Sequence, residues 1–178
     1  MTRSFDPRPL ADVRVEDGQR PTLVFVRRLR HTPDLVWRAL VDPGQLPEWA
    51  PYTAGRSLDE LGPVTFTMID GAEKVEFNGR VRVAQPPRVL EYTMAEDVVR
   101  WELEPTPEGT QLTLRQSVES LSWLPKVAAG WHICLAVAEH LIDGDPIGPI
   151  TGQDALEHGW PQLHDRYAAE LGVASDVL

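Results

Sequence analysis

Five histidines, one cysteine and 27 carboxylates are the side chains of this 178-residue chain best suited to chemistry, and their spacing argues against most of it. Zinc needs ligands converging at about 2.0–2.3 Å, commonly from histidines four residues apart on a helix. His31, His132, His140, His158 and His164 contain no such pair; His132 and His140 are eight apart. No metal site is expected. Cys134 stands alone, which excludes an internal disulfide, and its place in an apolar helical stripe reads as a small buried side chain. General acid–base work needs carboxylates or imidazoles in a dry cavity. Instead, Glu76, Glu91, Glu102 and Glu104 oppose apolar rows on strands, and Asp70, Asp143 and Asp145 sit beside glycine, all of them solvated positions. Glu102 and Glu104 share a strand face with Arg100, as in a surface ladder. His132 reads as a partly exposed helix position. There is no G-x-S-x-G elbow, and no P-loop or G-x-G-x-x-G follows a strand, so covalent and nucleotide-dependent catalysis lose ground and no cofactor is expected. What remains is a set of large apolar side chains: Phe66, Met68, Phe77, Tyr92, Trp101, Leu114, Trp131 and Leu135, with Trp37 and Trp49.

The elements that must position this set follow from periodicity. Asp12 to Glu16 and Pro21 to Arg30 flank the turn signal Asp17-Gly18 and predict a short hairpin after a loose arm of ten residues. From Thr32 to Pro51 the chain reads as a capped amphipathic helix, a second helical turn and a reversal. Thr32 supplies an N-cap oxygen, Pro33 the first helical position, and Leu35, Val36, Ala39 and Leu40 one buried face. A meander follows: Val64 to Ile69, a turn at Asp70-Gly71, Lys74 to Val83, a break at Pro86-Pro87, Val89 to Met94, Val99 to Leu103, and Gln111 to Val118. In the second of these, Val75, Phe77, Val81 and Val83 face one side and charged or polar residues the other, so one face meets the core and one meets water. Gly79 lies on the apolar side, where it permits a bulge or the close approach of another backbone. The long helix runs from Lys126 to Ile142, with Val127, Trp131, Cys134, Ala138 and Leu141 as its apolar stripe. After a Gly- and Pro-rich loop, helical spacing resumes from Asp154 to Leu171, split near Gly159 and Pro161.

Composition bounds the partners. With 42% apolar and 25% charged residues, the chain fits one globular domain with a single core. A net charge of −10 argues against a phosphate-tracking nucleic-acid surface, and Arg27, Arg28 and Arg30 read as the solvated face of a strand. No apolar run approaches the roughly 20 residues that span a bilayer, and the N-terminus lacks a signal-peptide core. A cytoplasmic protein without membrane or nucleic-acid partners is expected.

Several stretches carry a resemblance: VWRALVDPGQLPEWAP, FNGRVRVAQPPRVLEYTM, GTQLTLRQSV and AAGWHICLAVAEHLIDGDP. Together, over roughly Thr22 to Ile142, they resemble the START-like helix-grip superfamily labelled SRPBCC, in the bacterial branch similar to activators of the cytosolic heat-shock chaperone ATPase. The resemblance implies an α+β helix-grip fold. In it, a curved antiparallel sheet of about six to seven strands wraps a long C-terminal helix, two short helices follow the first long strand, and an extra helix ends the chain. Residues 1–20 are then an arm or short hairpin strand, 21–145 the helix-grip domain, and 146–178 a helical extension packed on the same domain or at a homodimer contact.

Because the sheet of this fold curves away from the helix, the resemblance also implies a pocket, with a small apolar or aromatic ligand held by Trp49, Phe66, Met68, Phe77, Tyr92, Trp101, Leu114, Trp131, His132 and Leu135. Tyr92 with His132 or Gln116 would orient a polar group. Trp101 and Trp131 are large enough to fill the pocket instead, a choice left open by the sequence. A cyclase, dehydratase or hydrolase using Tyr92 and His132 is the alternative from the enzyme class. A chaperone-associated or regulatory interaction module working through the C-terminal helices is the third reading. In the eukaryotic activators a separate N-terminal domain supplies much of the chaperone contact, and about twenty residues before the first clear strand leave no room for it, which counts against that reading.

Overall fold

Alternation of apolar and polar side chains builds most of the sheet in the computed structural model, which describes residues 11–69 and 73–175. β1 (Asp12–Glu16) and β2 (Thr22–Leu29) form the hairpin around Asp17-Gly18. They are followed by β3 (Tyr52–Ala54), β4 (Gly62–Met68), β5 (Val75–Gln85), β6 (Val89–Met94), β7 (Asp97–Thr106) and β8 (Gly109–Ser117). All pairings are antiparallel, in the order β1-β2-β8-β7-β6-β5-β4-β3. Among the described residues the sheet has 8 strands, against the six to seven expected. The strand with no counterpart in the sequence reading is β3, three residues long and too short for alternation to reveal. The expected N-terminal arm and the Asp70-Gly71 turn lie outside the described residues.

Neighbouring backbone and an aromatic ring crowd the sheet at Gly79, where the sequence has no side chain. Gly79 pairs with Val64 on one neighbour and Met94 on the other. A Cβ there would overlap the Thr93 carbonyl oxygen and come within 2.7 Å of the Phe66 ring, so the close approach expected at Gly79 is real. The register slips between Val81 and Val83, two positions further on.

Two layers of helix complete the core. In α1 (Pro33–Val41), Thr32 takes the N-cap position and Pro33 the first turn, but the Thr32 side chain makes no capping hydrogen bond. The buried face is Val36, Trp37, Ala39, Leu40 and Val41, whereas Leu35, expected inside, is 41% exposed. A 3-10 turn over Leu46–Glu48 then delivers Trp49 into the core, where its indole N–H donates to the Ala39 carbonyl at 2.9 Å. The long helix α2 (Leu124–Ile142) lies across the concave sheet, followed by α3 (Gly152–Glu157) and α4 (Trp160–Leu171). Gly159 separates the last two with φ of 90°, a left-handed backbone that glycine adopts without strain.

Because the sheet covers one side of α2 and α4 the other, α2 is buried nearly all round from Ala128 to Ala138 rather than along a single stripe. That second layer corrects the reading of His132, which is fully buried. It also corrects the hydropathy reading. The helical stretch Leu121–Ile142, 22 residues, is long and apolar enough to cross a bilayer, but most of it is buried within this domain.

Charged residues sort by strand parity, with one exception to the expectation. On the outer face Arg100 reaches Glu91 at 3.3 Å and Glu102 at 3.6 Å, and Arg115 joins Glu102 and Glu16, so a ladder forms around the expected Arg100 and Glu102, with Glu104 exposed beyond it. Arg28 and Arg30 are exposed, but Arg27 shares the parity of the buried Leu23, Phe25 and Leu29. It turns inward and pairs with Glu139 of α2 at 3.0 Å, its side chain only 10% exposed.

Candidate functional site

Where sheet and α2 face one another, aromatic rings fill the space. Trp131 of α2 meets Trp101 of β7 edge to face at 5.1 Å between centroids, and Trp49 packs on both at 6.2 and 6.4 Å. Tyr52 of β3 continues the cluster to Phe66 at 5.4 Å, and Phe66 to Tyr92 at 5.3 Å and Phe77 at 5.5 Å. Offset and edge-on pairs of this kind add to the stabilisation from buried area. Their polar atoms are matched within the cluster. The Trp101 indole donates to the Tyr92 hydroxyl at 3.0 Å, that hydroxyl also shares a hydrogen bond with Tyr52, and the Trp131 indole donates to Gln116 Oε1 at 2.7 Å. Burial is the main cause that pushes the Tyr92 hydroxyl up to about 12, the hydrogen bonds from Tyr52 and Trp101 working against it. Burial likewise holds the Tyr52 hydroxyl well above its ordinary value, with Tyr92 adding in the same direction. Neither phenol is poised to give up a proton near neutral pH.

A cavity of about 480 Å³ opens on the far side of Trp131 and Tyr52. One wall is Trp123 and the α2 residues that follow it, through Gly130 to Cys134; a second is the sheet, through Met68, Met94 and Gln116; the third is the segment from Ile150 to Trp160 that carries α3. Most lining side chains are apolar or soft, and methionine adapts to irregular shapes. Lys126 is the only charged residue on the wall among the described residues, and its ammonium stands 5.0 Å from the centre of the Trp123 ring. Gly130 is the gap in the helical wall: a Cβ built there meets nothing within 4 Å. No three His, Cys, Asp or Glu side chains converge as a metal ion would require among the described residues.

The residues singled out in the sequence divide between these two regions. Met68 and Trp131 line the cavity, as does Gln116. Trp49, Phe66, Tyr92, Trp101, Leu114 and Leu135 are buried in the packed core, with Phe77 half-buried against Phe66, and none of them is on the cavity wall. Of the two fillings imagined for the space between sheet and helix, the aromatic one holds, and the open volume is displaced toward α3. His132 points to the opposite side of α2, where its Nδ1 meets the Tyr167 hydroxyl of α4 at 2.5 Å. Tyr167 also accepts the Ala11 backbone N–H at 3.0 Å, and burial pushes its hydroxyl up to about 12. Tyr92 and His132 therefore belong to separate hydrogen-bond networks and do not form a catalytic pair. Sequence reasoning missed Tyr52, Met94, Lys126 and Gly130, and treated the extension as a cap. A glycine on the inward side of a long helix was the available signal.

Comparison with known proteins supplies a context for this geometry. The family model for "Activator of Hsp90 ATPase homolog 1-like protein" matches residues 30–142. No match to the chain is found among curated proteins. Among solved structures, CalU16 from Micromonospora echinospora superposes with a TM-score of 0.67 at 20% identity, covering 90% of this chain and 96% of that one. Protein MLL2253 from Mesorhizobium loti gives 0.59 at 26% identity over 71% of this chain and 99% of its own. The AHSA1-like protein from Aeromonas hydrophila gives 0.58 at 18% identity over 69% and 92%. All three share the helix-grip architecture. The matched family segment ends at Ile142, so the Ile150–Trp160 wall of the cavity lies outside it.

Proposed function

Since the chain belongs to the family of activator of Hsp90 ATPase homolog 1-like proteins, a helix-grip family, we propose that it is a small-molecule-binding protein that holds a mostly apolar ligand between α2, α3 and the sheet. The observation that carries this reading is Gly130. Glycine inside a helix costs about 0.5–1 kcal/mol relative to alanine, and is retained where backbone must approach something closely or where room is needed. Nothing stands within 4 Å of a Cβ at Gly130, so packing does not require the glycine. What its absent side chain preserves is volume on the cavity wall. A helix that forgoes stability to keep space is the pattern of a functional site, where local rules are broken for a purpose. The cavity's size is within the range of ligand pockets, about 300–1,000 Å³, and its apolar walls favour an apolar guest.

The test separates folding from binding. N-phenyl-1-naphthylamine, a neutral aromatic probe that fluoresces in apolar surroundings, is titrated into the wild-type protein and Gly130→Leu. The leucine projects into open space, so it leaves the helix at least as stable, while weakening the probe by at least about tenfold through loss of room. An equal affinity in both proteins, with the variant fully folded by circular dichroism, places the probe elsewhere and removes the support for this reading.

A further inference from the structure

One polar side chain interrupts an apolar row. The inward positions of β8 run Leu112, Leu114, Gln116, and Gln116 pairs across the sheet with Leu23 and Val99, each 0% exposed. Strand parity favours an apolar side chain there, and a polar residue on a core-facing row marks a place where packing yields to another demand. Gln116 lies on the cavity wall, and its Oε1 accepts the Trp131 indole N–H at 2.7 Å. An indole nitrogen donates and never accepts, so the amide atom that faces Trp131 is the oxygen, and the NH2 group turns the other way. Among the described residues the Gln116 side chain makes no second hydrogen bond, which leaves this donor for the cavity. The Tyr52 hydroxyl, by contrast, is engaged by Tyr92. Around Gln116 the wall is soft. All three sulfur-bearing side chains among the described residues, Met68, Met94 and Cys134, lie on it, with rings from Tyr52, Trp131 and Trp160. Thioether sulfur and aromatic faces both make favourable contacts with an aromatic guest.

Resting on the cavity-binding reading above, we infer that the ligand is a neutral aromatic carbonyl compound whose rings occupy the cavity and whose carbonyl oxygen accepts a hydrogen bond from the Gln116 amide. The rings supply affinity by leaving water, and the amide fixes which edge of the ligand faces β8. A carbonyl oxygen costs less to bring into an apolar space than a carboxylate, and an amide N–H satisfies it without a counter-charge. A hydrocarbon of the same shape gains the apolar contacts but leaves the amide without an acceptor. Trp131 is then a positioning residue, because its indole holds the amide the right way round.

Two probes with identical rings test this. Benzophenone and diphenylmethane differ only in the bridge between their phenyl groups, a carbonyl against a methylene. Binding of both to the wild-type protein and to Gln116→Met is measured by equilibrium dialysis. The methionine keeps an unbranched side chain and removes the amide. The ratio of ketone to hydrocarbon affinity is expected to fall about fivefold in the variant, the effect of one neutral hydrogen bond. A change in cavity shape or stability reaches both probes and leaves the ratio alone. The infrared carbonyl band of benzophenone on the wild-type protein is expected below its position in hexane, as for a hydrogen-bonded ketone, and to return to that position in the variant. Should the variant fail to fold, the wild-type band still decides. A wild-type band at the hexane position, a band that stays shifted in Gln116→Met, or an unchanged affinity ratio overturns the carbonyl assignment while the cavity reading stands. If neither probe binds the wild-type protein, the cavity reading fails, and this inference with it.

Discussion

One helix serves two regions that obey opposite rules. Toward the sheet, α2 offers Trp131 to a cluster in which rings touch rings and indole and hydroxyl groups answer one another. Toward α3 it offers Gly130 and Cys134 to open space. Adjacent residues, Gly130 and Trp131, stand at the two extremes of side-chain size. The closed region gains dispersion and hydrophobic stabilisation from every contact; the open region forfeits those contacts. The division teaches that the stability of the fold is concentrated away from the binding space. Wall residues outside the aromatic cluster, such as Gly130 and Leu156, are free to change size without unfolding the domain, whereas Tyr52 and Trp131 belong to both regions.

The sharpest way to break the comparison is to truncate one residue from each region. Trp49→Ala removes contacts with two other tryptophans and an indole hydrogen bond, and is expected to cost about 3–5 kcal/mol. Leu156→Ala, at the cavity mouth and 46% exposed, is expected to change stability by no more than about 0.5 kcal/mol. Urea unfolding of the two variants measures both. Comparable losses would show that the two regions share the stability evenly, and the division would be lost.

Alkaline titration sharpens it through the tyrosines. The chain has three, Tyr52, Tyr92 and Tyr167, and all are held above the ordinary value of about 10, the last two at about 12. A phenol with a raised folded pKa stays protonated in the fold while its unfolded counterpart ionises. Its contribution to stability is thus complete below about pH 10 and is lost as pH rises toward about 12. Tyrosinate absorbance should therefore stay flat through pH 10 and rise cooperatively with loss of structure. Ionisation of even one tyrosine near pH 10 in folded protein would mean that its surroundings are wet.

Much of the closed region was legible in the sequence, because alternation over β5 and β7 and the apolar repeat in α2 are local patterns. That Phe66, Tyr92 and Trp101 face the core follows from strand parity, and Trp131 from the apolar stripe of α2. The open region was not legible, for three physical reasons. Its third wall comes from Ile150–Trp160, whose contact with α2 is tertiary and leaves no period. Tyr52 lies in a three-residue strand set by its pairing with β4. His132 looked partly exposed because a single apolar stripe describes a helix covered on one side, and α4 supplies a second cover through Tyr167. Shape decided the rest: parity predicts which way a side chain points, whereas whether rings fill a space or leave a void depends on how α2 and the Ile150–Trp160 segment pack against the sheet.

The smallest effect is the most specific. Tyr92→Phe keeps the ring and its contacts with Phe66 and Tyr52, and deletes only the hydroxyl to which Trp101 Nε1 donates and which Tyr52 shares. Both partners are buried, so the substitution strands an indole N–H without water to replace the lost acceptor. An unsatisfied buried group costs about 1–3 kcal/mol, well below the loss from removing a whole indole. Because Tyr92 does not line the cavity, the affinity for N-phenyl-1-naphthylamine should be unchanged while the urea midpoint falls. Weaker probe binding with unchanged stability is the result that would reverse the assignment, making the Tyr92 hydroxyl part of the site and the aromatic cluster part of the pocket.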